Sequence, residues 1–116
     1  MTMELIMKTE VLADVLLNAS DEELKNPGFD RQDCFTEWLA LAYDDPDFFY
    51  EGDYIGVYQK CRCRNAQDLT LDEVRACVTF LIRQMRHEYA PYSCIRNRSL
   101  GNCLKRLCEL TKEEAK

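Results

Sequence analysis

The chain has 116 residues, of which 47% are hydrophobic and 31% charged, and 21 acids against 15 lysines and arginines give a net charge of −6. This is globular composition at the usual size of one core, so it excludes a disordered chain and predicts a single helical domain spanning residues 1–116. No apolar run approaches the roughly 20 residues of a membrane span, and Glu4 stands where a secretory signal needs positive charge, so a cytoplasmic chain with no membrane partner is expected.

In chain order, Leu5, Leu12, Val15 and Leu16 recur on one side of a first helix. "SDEEL" then offers a capping box through Ser20 and Glu23, and "NPG" breaks the chain. A further helix places Phe35, Trp38, Leu39 and Ala42 on one face, with Asp30 as a candidate cap and Pro46 forcing an end. From Pro46 to Lys60, Tyr50, Tyr54 and Tyr58 keep a spacing of four, which predicts helix despite Gly52 and Gly56. "CRCRNAQD" reads as a polar connector.

The strongest helical signal follows. Thr70 and Glu73 form a capping box, Leu69 and Val74 are spaced as a hydrophobic staple, and the helix is predicted to start at Leu71. Leu71, Val74, Val78, Leu81 and Met85 form its stripe, widened by Cys77, Ile82 and Tyr89, until Pro91 limits it. In the last segment Leu100, Cys103, Leu104, Leu107 and Cys108 face inward and leave Lys105, Arg106 and Glu109 outside. The predicted architecture is an all-α compact bundle of four to six helices.

Charge is distributed unevenly. Residues 1–59 hold 14 acids and 3 bases, net −11, whereas residues 60–108 hold 10 bases and 4 acids, net +6. The sign changes within "YDDPDFFYEGDYIGVYQKCRCR", where Asp44, Asp45, Asp47, Glu51 and Asp53 are threaded among Tyr50, Tyr54 and Tyr58 before Lys60, Arg62 and Arg64. Carboxylates interleaved with tyrosines suit a protein interface, because tyrosine combines apolar area with a polar tip. In the basic half, Arg75, Arg83 and Arg86 share one side of the predicted helix with Thr79, an alternative strip for phosphate, followed by Arg96, Arg98, Lys105 and Arg106. The plain alternative to both is mutual neutralisation of the two halves by ion pairs.

The segment "LTLDEVRACVTFLIRQMRHEYAPYSCIRNRSLGNCLKRLCEL" resembles a family of uncharacterised small bacterial proteins, in which a capped helix runs into an "IIRGER"-like segment and then an amphipathic helix near "LLKRLKEL". Arg83 and Arg86 stand where that pattern has its two arginines, with Gln84 and Met85 replacing its Gly and Glu. The resemblance covers roughly 40 residues, implies a helical fold and transfers no site.

Catalytic and metal motifs are weak. The odd number of cysteines, seven, without an export signal argues for reduced thiols, with Cys77, Cys103 and Cys108 as core positions. Cys61 and Cys63 with His87 and Cys94 could compose a zinc set, but their spacing departs from paired Cys-x2-Cys ligands, so no metal or other cofactor is expected. Their simpler description is two partly exposed thiols in a basic loop that favours thiolate. His87, the single histidine, lacks the second histidine of a zinc-hydrolase motif. The sequence therefore favours a non-enzymatic interaction protein, in its specific form an acidic inhibitor or adaptor of the phage or mobile-element type. Its partner would be another protein, one that handles nucleic acid, contacted through Asp44, Asp45, Asp47, Tyr50, Glu51, Asp53, Tyr54 and Tyr58. The alternatives are a nucleic-acid binder using Arg75, Arg83 and Arg86, and a thiol- or metal-dependent enzyme using Cys61, Cys63 and His87.

Overall fold

A computed structural model describes residues 1–26, 28–29, 32–85 and 93–114. Among these the chain forms seven α-helices and a short 3-10 helix, with no strand. They are α1 (Met3–Asn18), α2 (Asp21–Leu24), α3 (Asp33–Asp44), α4 (Tyr54–Cys61), the 3-10 turn Ala66–Asp68, α5 (Leu71–Gln84), α6 (Ser93–Arg96) and α7 (Ser99–Glu114). The count exceeds four to six because α2 and α6 are single turns. The radius of gyration, 13.2 Å, matches the roughly 13 Å of a close-packed chain of this length.

Helix starts follow side-chain capping. Thr2 Oγ1 accepts from the Leu5 amide at 3.1 Å and begins α1. Both expected capping boxes form, Ser20 with Glu23 on α2 and Thr70 with Glu73 on α5, and α5 begins at Leu71 with Leu69 and Val74 buried beside the cap. The cap position of α3 is Gln32, two residues beyond Asp30, which itself lies outside the described residues together with Arg86, His87, Tyr89 and Pro91.

α1 packs chiefly on α7 and α3, and α5 on α4 and α7. The α1–α7 approach is close at Gly101, where an added Cβ would stand 3.0 Å from the Leu16 side chain. Trp38 is fully buried, meets Phe35 and Phe48 edge-on, and donates its indole N–H to Thr9 Oγ1 at 2.8 Å. Thr9 in turn donates to the Leu5 carbonyl, so no polar atom of this pair is left dry. Arg98 adopts a left-handed backbone, φ 64°, between α6 and α7. Its guanidinium compensates that strain by bonding the Ala19 carbonyl at 2.8 Å and Asp21 at 2.9 Å, tying the α1–α2 corner to the α6–α7 corner.

The expected helix over Pro46–Lys60 forms only from Tyr54 onward. Asp45 Oδ1 accepts from the Asp47 amide at 2.8 Å, making an Asx turn that Pro46 favours, and Asp53 caps the new helix by accepting from the Gly56 amide at 3.0 Å. A side chain at Gly56 would collide with that cap, since its Cβ would fall on Asp53 Oδ2. Residues 46–53 are therefore an irregular segment anchored by buried Phe48, and Tyr50 does not share a helical face with Tyr54 and Tyr58.

Candidate interaction surface

Residues 46–53 lie along one face of α5, and that face is the one the sequence assigns to an arginine strip. Arg75 reaches three consecutive carbonyls, donating to those of Asp47, Phe48 (3.4 Å) and Phe49 (3.3 Å), with Asp72 3.7 Å away. One turn on, buried Thr79 Oγ1 accepts from the Tyr50 amide at 2.9 Å while donating to the Arg75 carbonyl. One turn further, the Arg83 guanidinium lies 4.8 Å from the centre of the Tyr54 ring and 5.9 Å from that of Phe49. Arg75 and Thr79 thus clamp the backbone of the acidic segment, while exposed Arg83 lies over two of its neighbouring rings. Arg86 lies outside the described residues.

The clamp grips carbonyls and rings rather than carboxylates. Asp44, Asp47 and Glu51 are exposed, and among the described residues none of them has an ion-pair partner. Asp45 is the exception, 3.9 Å from the amino terminus, and Asp53 acts as the α4 cap. Beside them Asp44, Asp45, Asp47 and Glu4 share the lining of a cleft of about 400 Å³ that holds no lysine or arginine among the described residues. The tyrosines divide: Tyr58 stacks on Phe80 at 3.9 Å and belongs to the edge of the core, Tyr54 lies under Arg83, and Tyr50 is half-buried. The exposed apolar groups here, Tyr43 and Ile55, carry no distinguishing spacing in the sequence.

Among the described residues, ion pairing between the two charged halves is confined to one contact. Of seven ion pairs among the described residues, Arg98–Asp21 alone joins residues 1–59 to residues 60–108. Lys8–Glu37 and Lys112–Glu10 decorate α1, and Arg64–Glu73, Arg75–Asp72 and Arg106–Glu109 are short-range. Arg106 also donates to the Leu69 carbonyl at 3.4 Å.

The cysteines differ from their sequence description at one position. Cys61 is buried rather than partly exposed, and its Sγ donates to Glu73 Oε2 at 3.4 Å. Burial and the Glu73 carboxylate push its pKa up, so the neighbouring cations do not make it a thiolate. Burial likewise pushes Cys77 up to about 12, and Cys103 to about 11. Cys63 is exposed, and Cys94 is buried in α6. No group of three or more His, Cys, Asp or Glu among the described residues is placed to hold a metal ion. No described helix is long and apolar enough to cross a membrane.

Comparison with protein-family models, with curated proteins and with solved structures gives no match.

Proposed function

We propose that this chain is a small, acidic, non-enzymatic interaction protein that presents residues 44–53 to a basic surface on another protein. In its specific form it is an inhibitor or adaptor whose carboxylates occupy a nucleic-acid site on a nucleic-acid-handling partner. The observation that carries this reading is the distribution of ion pairs. Asp44, Asp47 and Glu51 have no ion-pair partner among the described residues while Arg75 and Thr79 hold the backbone beneath them. A backbone ordered before contact reduces the entropy cost of binding, and an unneutralised acidic edge steers a basic partner. Exposed Tyr43 and Ile55 add apolar contact area beside the acids. Direct nucleic-acid binding by the arginine strip is the weaker reading, because Arg75 is committed to carbonyls and Arg83 lies across rings.

The test uses the wild-type chain and a triple variant, Asp44→Asn with Asp47→Asn and Glu51→Gln, as paired baits in extract of the native host. Wild type should retain a basic protein that is released by salt and not by nuclease, and the variant should lose it at unchanged melting temperature. Identical retained sets for the two baits would overturn the reading.

A further inference from the structure

On the side of α5 facing away from the clamp lies a cleft of about 690 Å³, walled by the end of α4, the 3-10 turn and the start of α7. Its lining has the opposite charge to the rest of the molecule. Arg62, Arg64 and Lys105 border it, and none of the chain's 21 acids lines it among the described residues. Arg64 is tied to Glu73 at 2.9 Å and to the Asp68 carbonyl at 3.0 Å. Arg62, which follows the last residue of α4, and Lys105 of α7 have no ion-pair partner among the described residues. Unpaired cations on separate walls of one concavity, in a chain of net charge −6, mark it as a place for an anion.

The remaining lining says what kind of anion. Tyr58, Leu69 and Leu81 contribute apolar surface together with the thiols of Cys61, Cys77 and Cys103, which the burial described above keeps neutral. Gln67 and Asn102 stand at the cleft with side-chain amides that bond nothing among the described residues. The walls mix polar and apolar groups in similar measure, and a concavity within the range of about 300–1,000 Å³ has room for an organic molecule and not only a bare inorganic ion. Two unpaired cations match a phosphate monoester, which carries about −1.5 to −2 charges near neutrality, better than they match a single carboxylate.

We propose that this cleft binds a small phosphorylated organic molecule, with its phosphate between Arg62 and Lys105 and its ring or chain against Tyr58, Leu81 and the thiol floor. The site is independent of the acidic edge and of the partner assigned to it.

Amide chemical-shift titration of the full chain tests this, with adenosine monophosphate and phenyl phosphate as probes and adenosine and inorganic phosphate as controls at matched ionic strength. At least one ester should shift amides confined to residues 58–69, 77–81 and 97–105, and bind at least about tenfold more tightly than either control. Arg62→Gln and Lys105→Gln should each weaken that ester by about tenfold without moving the melting temperature, since both residues are exposed. The triple variant of the acidic edge should bind it as wild type does. No shift with either ester would overturn the proposal. So would adenosine or inorganic phosphate binding as tightly as the esters, or undiminished binding by both cation variants.

Discussion

The two faces of α5 use cations in opposite ways. On the clamp face, half-buried Arg75 holds the carbonyls of residues 47–49 and exposed Arg83 lies over the Tyr54 and Phe49 rings, so positive side chains end up displaying negative ones. On the cleft face, Arg62 and Lys105 line an open concavity that no carboxylate enters among the described residues. A basic residue in sequence therefore reports a binding surface only when no carbonyl, ring or carboxylate of its own chain meets it first. Across the difference of 17 charges between residues 1–59 and 60–108, Arg98–Asp21 is the one ion pair among the described residues that joins the two stretches.

The largest expected effect breaks both faces together. Val78 is 1% exposed in the middle of α5, and Val78→Asp places a carboxylate there without a partner. It should cost about 3–5 kcal/mol, enough to leave much of a marginally stable chain unfolded. Urea unfolding measures it, and a midpoint equal to wild type would mean that Val78 is not in the core.

A smaller change should separate the faces. Thr79→Val keeps the shape of the side chain but removes the acceptor of the Tyr50 amide, and should cost about 1–3 kcal/mol. Hydrogen exchange should quicken at residues 47–50 and stay unchanged at residues 62–67, while Thr79→Ser restores protection. Equal loosening of both regions would show that the clamp does not act locally.

The smallest effect concerns Glu73, which sits at the cap of α5 between Thr70, Cys61 and Arg64. Its pKa is held below the ordinary 4.5, first by the Thr70 amide that donates to it, then by the Cys61 thiol, the Thr70 hydroxyl and Arg64. A carboxyl depressed in the folded state stabilises above its unfolded pKa, and the contribution disappears as pH falls through the folded value. Glu73→Gln retains a capping acceptor but not the charge. Its urea midpoint should therefore fall below wild type by a constant amount between about pH 6 and pH 8, and the gap should close below about pH 4. A gap independent of pH would assign the whole effect to packing.

Much of this was legible from local pattern, and the failures share one cause. The capping boxes at Ser20 and Thr70 form as the residues imply because each is settled within four positions of the chain. The Tyr50–Tyr54–Tyr58 spacing misled because an Asx turn at Asp45 and a cap at Asp53 restart the chain between the first tyrosine and the second. Arg75 and Arg83 fall in one row on α5, but what meets them comes from residues 26 to 34 positions away. The thiolate expectation for Cys61 failed likewise, through burial and a carboxylate 12 positions on.

The sequence by itself determined that the chain is all-helical, where its strongest helices begin, and that its acids and bases are segregated, because periodicity, capping and composition act over short distances. Tertiary structure alone decided which cations face solvent, which thiols lie beneath a cleft, and that the acidic edge is held from behind. Those outcomes depend on which distant carbonyl, ring or carboxylate reaches a side chain before water does, and that competition is resolved only when the helices pack.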